Sequence, residues 1–470
     1  MKNYIVIHGH FYQPPREDPW LGTIPNQPSA APYHNWNKRI TKECYAANSA
    51  SRVLNNQGKI VDIINNYKYL SFNFGPTLFH WIKRHAPNVY HRIIDADEES
   101  RELNNGHGNA IAQAFNHTIL PLDHPQDRYT QIHWGLEDFK SHFHREAEGI
   151  WLPETAVNED VLDILIEKGV RFIILSPWQA EAVSPAGSRS WKPLRDAPVP
   201  SEKPYRIDRA GGSIAVFFYN HILAQGISFE HYLKNAESLY NSIKSFYNKK
   251  DPSHLISIAT DGEVYGHHEP FGDMCLAALT KLAAEKEELT FTNYGNYLDQ
   301  FPPQDRVKLK PGEDERGTSW SCAHGVSRWY KDCGCSTGGE EGWNQQWRTP
   351  LREGLEAVRE ELYTRYEQNI KELSDLEPTE IRNRYIEVLN GTVERRDFAR
   401  EVIRPDELER TNRDEEVVRL YALLESQKYA MYMFTSCGWF FNDISGIETE
   451  QNLRYAVKAA ELSASAEPDT

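Results

Sequence analysis

"GIWLPETAVNEDVLDILIEKGVRFIILS" spans residues 149–176 and contains the pattern on which the architecture of the chain depends. Two short apolar runs, 149–153 and 171–176, flank residues 158–170, where apolar side chains recur at helical spacing behind a capping Asn158. Successive strand, helix and strand patterns are typical of a parallel sheet whose connecting helices cover its faces. The stretch therefore predicts a β-α-β unit.

The same alternation extends over roughly the first 300 residues. Further β-rich runs lie at 4–8, 69–74, 213–219 and 255–259, and a second helical pattern lies at 231–248. Repetition over this length predicts an α/β fold whose parallel sheet closes, or nearly closes, into a barrel. In such barrels the chemistry lies on loops at the C-terminal ends of the strands, so polar residues directly behind an apolar run are the candidate site residues.

Beyond about residue 340 the pattern becomes helical. The amphipathic stretches that predict a helical bundle are 349–376, 378–391, 414–436 and 448–465. Residues 302–317, which are rich in proline, glycine and charge, mark the junction between the half with alternating strands and helices and the helical half. We therefore predict a barrel over residues 1–310, followed over residues 311–470 by an aromatic loop and a helical bundle.

The overall composition restricts the class of partner. Acidic residues outnumber basic ones by 68 to 52, which gives a formal net charge of −16. This balance argues against a nucleic-acid surface or an anionic-membrane surface, so an uncharged partner is expected. The chain also carries 12 Trp, 24 Tyr and 19 Phe. Aromatic planes suit the C–H faces of sugar rings, although large cores that use Tyr and Trp give the same counts.

The N-terminal segment and the cysteine content bear on location. "MKNYIVIHGH" (1–10) has only a short apolar run, and no segment approaches the roughly 20 apolar residues of a membrane span. Six cysteines in 470 residues do not form a disulfide scaffold. We therefore predict a soluble cytoplasmic protein with reduced cysteines and no membrane partner.

Two carboxyl groups follow apolar runs that predict strands. Glu154 would emerge from an apolar surround, which raises a carboxyl pKa unless hydrogen bonds hold the charged form, but it could equally be an N-terminal charge of the next helix. Asp261 also closes a strand and could face Glu154 across a cleft, as the paired carboxyls of retaining glycoside hydrolysis do. Glu263 would share the side of Asp261 if the strand continued, but Gly262 makes a turn an equal alternative.

A set of histidines leaves three interpretations open. His8 and His10 lie on one face of an extended segment and, with Asp261, His267 and His268, could form a zinc or manganese site. No tight ligand signature such as HExxH is present. A cluster of sugar-binding histidines, or histidines with a structural role, explains the same residues.

The segment "SWSCAHGVSRWYKDCGC" (319–335) combines cysteine, histidine and aromatic side chains. Cys322, His324, Cys333 and Cys335 suggest a four-ligand zinc knuckle, but one residue separates each pair, whereas about two to four do so in common structural sites. A sugar-stacking loop or a packed hinge between barrel and bundle are the alternatives. The aromatic residues that suit them are Trp320, Trp329, Tyr330 and Trp343.

Four segments in order resemble the conserved regions of glycoside hydrolase family 57. "HGHFYQP" (8–14) resembles the first region and "GNAIAQAFNHTILPL" (108–122) resembles the second. "GIWLPETAV" (149–157) is similar to the third and "IATDGEVYGHH" (258–268) to the fourth. Four regions in the right order make the resemblance specific for the family.

The resemblance implies a fold and a set of roles. It implies an incomplete (β/α)7 barrel followed by a C-terminal helical bundle, with Glu154 as nucleophile, Asp261 as acid/base and His117 lining the sugar site. No metal or other cofactor is implied for the catalytic step. Segments 318–335 and 436–452 resemble the α-amylase or α-mannosidase-like members. In the family, the helical region lends an aromatic residue and an acid to the cleft, which here are Trp439, Phe440 and Asp443.

We therefore predict a retaining α-glycosidase or transglycosylase that acts on α-glucans or oligosaccharides by double displacement. The predicted substrate contacts are His8, His10, Gln13, His117, Trp151, Glu263, His267, Trp320, His324, Trp329, Trp439, Phe440 and Asp443. The alternatives are a metal-dependent α-mannosidase or polysaccharide deacetylase, and a non-catalytic glycan-binding protein. The sequence leaves open the exact glycan, hydrolysis against transfer, and the oligomeric state. Similar proteins continue beyond the final "AEPDT", so a further domain or a short form is expected.

Overall fold

The computed structural model describes residues 3–248, 250–251, 253–405 and 413–466. Its strands, in chain order, are β1 (Asn3–Phe11), β2 (Ser51–Leu54), β3 (Ile60–Ile64), β4 (Ser71–Phe74), β5 (Ala112–Gln113), β6 (Gly149–Trp151), β7 (Phe172–Leu175), β8 (Ala180–Ser184), β9 (Lys192–Pro193), β10 (Tyr205–Arg209), β11 (Gly212–Phe218), β12 (Leu255–Asp261), β13 (Leu289–Phe291) and β14 (Arg306–Leu309).

Parallel strands of the first half line a barrel in the order β12-β1-β4-β5-β6-β7-β11. A parallel bridge between Phe72 and Ala110 continues the wall from β4 toward β5. At the seam between β11 and β12, the Asn220 amide donates to the Ser257 carbonyl at 2.7 Å. The barrel thus places the C-terminal ends of β6 and β12 around one mouth.

Helices surround the barrel and alternate strand residues pack to opposite sides. On β1, Ile5 and Ile7 join the cluster that includes the helices, whereas Val6 packs with Trp151 and Phe217 in the barrel interior, as the period of two in a strand requires. The helices of this half are α1 (Trp36–Ile40), α2 (Ala46–Asn48), α3 (Pro76–His85), α4 (Pro87–Leu103), α5 (Pro125–Phe143), α6 (Glu159–Glu167), α7 (His221–Phe229), α8 (Ala236–Lys244), α9 (Gly272–Lys286) and α10 (Tyr294–Gln300).

The predicted β-α-β unit is confirmed as β6, α6 and β7. The Asn158 side chain accepts a hydrogen bond from the Val161 amide and so caps α6, as its position predicted. The helix predicted at 231–248 was too long, because Asn235 caps α8 and starts it there.

Several short strands extend the sheet beyond the barrel. β8 pairs with β9 and β14, and β10 pairs with β11, all antiparallel, while β2 and β3 form a separate hairpin. Of these strands, only β11 was predicted, from the run at 213–219. β14 lies within the segment 302–317 that was predicted as a junction, so part of that segment belongs to the sheet.

The chain beyond the barrel is helical, as predicted. The helices described there are α11 (Arg348–Leu373), α12 (Pro378–Arg384), α13 (Ile386–Leu389), α14 (Arg395–Val402), α15 (Arg413–Tyr432), α16 (Cys437–Phe440) and α17 (Ile447–Ser465). No helix in the described ranges is both long and apolar enough to cross a membrane. The division of the chain at residues 310 and 311 stays a prediction.

Barrel helix α5 packs against this helical region. Phe115 and Trp134 share a buried cluster with Tyr366 on α11. Asp127 of α5 accepts charge-assisted hydrogen bonds from Arg359 at 2.8 Å and from Arg382 at 2.7 Å.

Candidate active site

Glu154 lies directly behind β6 in a turn with unusual backbone angles. Its φ is 57° and that of Thr155 is 49°, a left-handed region that non-glycine residues seldom adopt. Gln179 supports this turn, since it accepts from the Thr155 hydroxyl at 2.8 Å and donates to the Thr155 carbonyl at 2.9 Å. Backbone strain of this kind concentrates at functional sites, where the surrounding structure holds it in place.

The Glu154 carboxylate accepts two hydrogen bonds from one loop. The Trp320 indole N–H donates to it at 3.0 Å and the Ser321 hydroxyl donates at 2.6 Å. Burial raises the pKa of Glu154, while these two donors and the positive charge of Arg328 act in the opposite direction. The loop therefore favours the ionised carboxylate.

Asp261 ends β12, and its side chain is open to the cleft. Its pKa is raised to about 7, first because the surrounding protein displaces water and second because Glu154 carries a negative charge nearby. Solvent that reaches Asp261 from the cleft reduces the effect of burial on its pKa. The repulsion by Glu154 remains, because it acts between any two carboxyls that face the same cleft. Asp261 thus keeps a proton most readily while Glu154 is charged.

Glu263 and His267 turn away from the carboxyl pair. Glu263 is 6% exposed and accepts hydrogen bonds from the Tyr45 hydroxyl at 2.6 Å and the Tyr12 amide at 3.0 Å. Burial raises the pKa of Glu263 to about 8. His267 lies 2.5 Å from the carboxylate of Glu43. Both side chains therefore have partners in neighbouring loops, and their predicted contact with substrate stays a prediction.

A wall of stacked rings lies beside the pair at the barrel mouth. The rings of His8 and His10 stack on Trp151 with centroids 5.0 and 4.9 Å away, and Tyr12 stacks on His117 at 3.8 Å. The Nε2 atoms of His10 and His117 lie 3.2 Å apart. Burial lowers the pKa of His8 and of His117 to about 3, and that of His10 well below its usual value. These imidazoles are neutral and buried, and each ring nitrogen lies within hydrogen-bond distance of a protein partner. Contact of these three histidines with substrate stays a prediction.

The histidine-based metal site, an alternative at the sequence level, is not assembled. Within the described ranges, potential ligand atoms converge in two groups, Cys322, His324, Cys333 and Cys335, and His80, Asp138 and His142. Neither group contains His8, His10 or Asp261.

Trp151, a predicted substrate contact, is 0% exposed in the barrel interior. Two further tryptophans predicted to contact substrate, Trp329 and Trp439, also lie in the core. Trp329 is 0% exposed and its indole N–H donates to the Ser436 carbonyl at 3.2 Å, while Trp439 is 1% exposed and stacks with Phe434. Packing between the loop and the bundle buries both rings, so neither offers a face to substrate. Spacing in sequence did not distinguish a buried aromatic from an exposed one.

The remaining predicted contacts lie in loops and at the end of the short helix α16. Gln13 accepts from Arg16 at 3.1 Å, and the Arg328 guanidinium lies over the Phe440 ring at 4.4 Å. Asp443 accepts from the Ser445 amide at 3.0 Å. His324 lies beside Cys335 in the cysteine-containing loop. A role for these side chains in substrate binding stays a prediction.

Sequence analysis did not identify three residues of the site. Ser321 donates to Glu154, Tyr12 covers His117, and the Ser436 hydroxyl lies 2.7 Å from Nδ1 of His117. Tyr12 lies within the motif at 8–14 and Ser321 within the segment 319–335, which drew attention because of other residues. Ser436 could not be found in this way, because only folding brings it to His117.

Residues 6–310 match the profile described as Glycosyl hydrolase family 57, which is more than half of the chain. The chain belongs to glycoside hydrolase family 57. The family predicted from the four motifs is therefore confirmed. Residues 343–469 match a second profile, described as Domain of unknown function (DUF3536).

This family 57 chain has a curated relative in the 4-α-glucanotransferase of Thermococcus litoralis. The two are 21% identical over 271 residues, which are 56% of this chain and 37% of the relative. The match thus spans well under half of the relative's length.

Solved structures similar to this family 57 chain confirm its fold. The exo-type maltose-forming amylase of Pyrococcus sp. ST04 has a TM-score of 0.71 at 15% identity, with 98% of this chain and 79% of that chain covered. The family 57 branching enzyme of Thermococcus kodakaraensis has a TM-score of 0.58 at 14% identity, with 98% and 90% covered. The predicted α/β class, an incomplete (β/α)7 barrel followed by a helical region, is confirmed.

Proposed function

We propose that this chain is a retaining enzyme for α-glucans, either a glycosidase or a transglycosylase, with Glu154 as nucleophile and Asp261 as acid/base. The observation that carries the proposal is the electrostatic coupling of the two carboxyls. The loop donors favour an ionised Glu154, and burial together with the charge of Glu154 raises the pKa of Asp261 to about 7. One carboxylate and one carboxylic acid facing one cleft are what the first step of double displacement needs.

In the first step, a Glu154 oxygen forms a bond to the anomeric carbon as the bond to the leaving oxygen breaks. Asp261 transfers its proton to that leaving oxygen. The product is a glycosyl ester on Glu154, which no longer carries a negative charge. Because that charge contributed to the raised pKa of Asp261, the pKa of Asp261 falls when the ester forms.

In the second step, Asp261 is therefore a carboxylate and accepts a proton from water or from a sugar hydroxyl. The oxygen of that acceptor bonds to the anomeric carbon, the ester bond breaks, and Glu154 returns to its ionised form. Two inversions give net retention. Water as acceptor gives hydrolysis and a sugar gives transfer, so exclusion of water by the Trp320 loop favours transfer.

The substrate class rests on Trp320 and on the relatives. The half-buried Trp320 ring suits the face of a sugar. The similar proteins described above are an amylase, a branching enzyme and a glucanotransferase. A cytoplasmic location belongs to the same proposal and fits cysteines that are free in the structure.

Azide provides a test that separates the two roles. With an activated aryl α-glucoside, Glu154→Ala supplied with azide is expected to give the β-glycosyl azide, because azide replaces the missing carboxylate. Asp261→Ala should give the α-glycosyl azide, because the ester still forms and azide then opens it. Glu181→Ala, on the exposed surface of β8, is the matched control and should give only wild-type products.

Three outcomes would overturn the proposal. Wild-type enzyme that first releases the inverted anomer from maltooligosaccharides contradicts double displacement. If Glu154→Ala gives the α-glycosyl azide and Asp261→Ala gives the β-glycosyl azide, the assignment of roles is wrong. If Glu154→Ala and Asp261→Ala bind maltooligosaccharides as tightly as wild type does, and neither the variants nor the wild type shows turnover, the chain is a glycan-binding protein.

A further inference from the structure

We propose that the loop of residues 319–335 binds a zinc ion through Cys322, His324, Cys333 and Cys335. Cys322 Sγ lies 3.8 Å from the sulfur of Cys333 and 3.9 Å from that of Cys335. Nδ1 of His324 lies 3.5 Å from the sulfur of Cys335. All four potential ligand atoms fall within 4.8 Å of one another.

These three separations agree with edges of a zinc-centred tetrahedron. With Zn–S near 2.3 Å and Zn–N near 2.0–2.1 Å, tetrahedral geometry gives S···S edges of about 3.8 Å and S···N edges of about 3.5 Å. The sulfur atoms are too far apart for a disulfide, and all three cysteines are free. Three sulfurs and one imidazole nitrogen fill the four positions, which is the closed set of a structural zinc site.

Backbone N–H groups lie beside two of the sulfurs. Backbone N–H groups of His324 and Arg328 donate to the sulfur of Cys322, and the N–H of Ala323 donates to that of Cys335. Such donors stabilise negative charge on sulfur and fix the orientation of each ligand.

A buried cation lies next to the cluster. Arg348 is 0% exposed, and its guanidinium donates to the carbonyls of Cys335 at 3.5 Å and of Phe440 at 3.4 Å. Among the described residues, no carboxylate forms an ion pair with Arg348. Zinc with three thiolates and a neutral imidazole carries one negative charge, which compensates the buried guanidinium.

The spacing in sequence argued against this site, because only one residue separates the two ligands of each pair. The structure satisfies the short spacings with a tight turn at Gly334, whose φ of 78° lets Cys333 and Cys335 present both sulfurs to one point. Our proposal therefore differs from the expectation of no metal only for this loop. It gives the ion no part in the catalytic step.

The position of the site gives it a structural role. Cys322 directly follows Trp320 and Ser321, the two donors to Glu154. Binding replaces three thiol protons by one cation and joins residues 322–324 to residues 333–335. The ion would thereby fix the segment from which both donors extend.

Metal analysis of the purified full chain tests the site without reference to turnover, so its outcome is independent of the proposed function. Protein expressed with zinc and dialysed is expected to hold an equimolar amount of zinc. Cys333→Ser and Cys335→Ser should each lose the bound zinc. Cys275→Ala changes a buried cysteine on α9, remote from the loop, and should retain it.

Two measurements on the wild-type chain avoid the risk that a variant fails to fold. X-ray absorption at the zinc edge should show three sulfur neighbours and one nitrogen. Cobalt(II) exchanged into the site should show the intense visible bands and thiolate charge-transfer bands of tetrahedral coordination. Zinc in an oxygen shell, zinc content at background in the wild type, or zinc retained by both serine variants would overturn the proposal.

Discussion

Trp320 donates to Glu154 twice. Its indole N–H reaches the carboxylate at 3.0 Å, and its backbone N–H reaches the Glu154 carbonyl oxygen at 3.0 Å. The backbone bond attaches the loop to the turn behind β6, while the indole bond acts on the charge of the side chain. A single residue therefore couples the position of the loop to the electrostatics of the carboxylate.

Trp320→Phe should separate these two contributions, because it removes the indole donor and leaves the backbone bond intact. Loss of a hydrogen bond to a charged group is expected to lower kcat/KM about ten- to a hundredfold. The pKa of Glu154 should rise, which moves the acidic limb of the pH–rate profile to higher pH. Trp343→Phe, at an exposed position C-terminal to the loop, is the control, and an equal shift in that variant contradicts the prediction.

The coupling of the carboxyls predicts that Glu154→Gln lowers the pKa of Asp261. Gln keeps the shape of the side chain and removes its charge, so one of the two causes of the raised pKa disappears while burial remains. Titration of 13C-carboxyl-labelled aspartate by NMR should show the Asp261 midpoint falling from about 7 but staying above its ordinary value. Glu181→Gln provides the control; an unchanged midpoint in Glu154→Gln is the contrary result.

Glu263 should make the stability of the protein fall as pH rises. Its folded-state pKa of about 8 exceeds the usual 4.5, so the stability that its proton provides is fully present below about pH 4.5 and is lost as pH approaches 8. Glu263→Gln stays neutral, so it should become more stable than wild type between pH 5 and 8, with an upper limit of about 1.4 kcal/mol per unit of pKa shift.

Urea unfolding of the two proteins at pH 5 and pH 8 measures this difference. Glu353→Gln, on the exposed surface of α11, should give a difference from wild type that is independent of pH. If the free energies of unfolding of Glu263→Gln and wild type differ by the same amount at both pH values, the Glu263 carboxyl of the wild type is ionised throughout this range.

Asp127→Ala should destabilise the packing of α5 against the helical region. It leaves Arg359 and Arg382 as buried cations without their shared carboxylate, which is expected to cost about 3–5 kcal/mol in the free energy of unfolding. Asp160→Ala breaks an ion pair in which the carboxylate is 64% exposed and should cost about 1 kcal/mol or less. Equal costs for the two variants in chemical denaturation contradict this account.

The fold was largely predictable because its strands and helices carry local patterns. The run at 255–259 became β12, and Asn158 marked the start of α6. Strands as short as β5, with two residues, have no periodicity to detect. The edge strands depend on neighbours far along the chain.

The site was predictable only in part, for the same reason. Position behind a strand marked Glu154 and Asp261 as candidates, and the resemblance to the family assigned their roles. Contact between Glu154 and Ser321 joins residues 167 positions apart, so no local pattern marks it. The burial of Trp329 likewise depends on the bundle that covers it.

The match to family 57 ends at residue 310, before the two residues that donate to Glu154. The matched segment alone therefore holds Glu154 without the two groups that donate to its carboxylate. The barrel and the following loop form one electrostatic unit around this side chain.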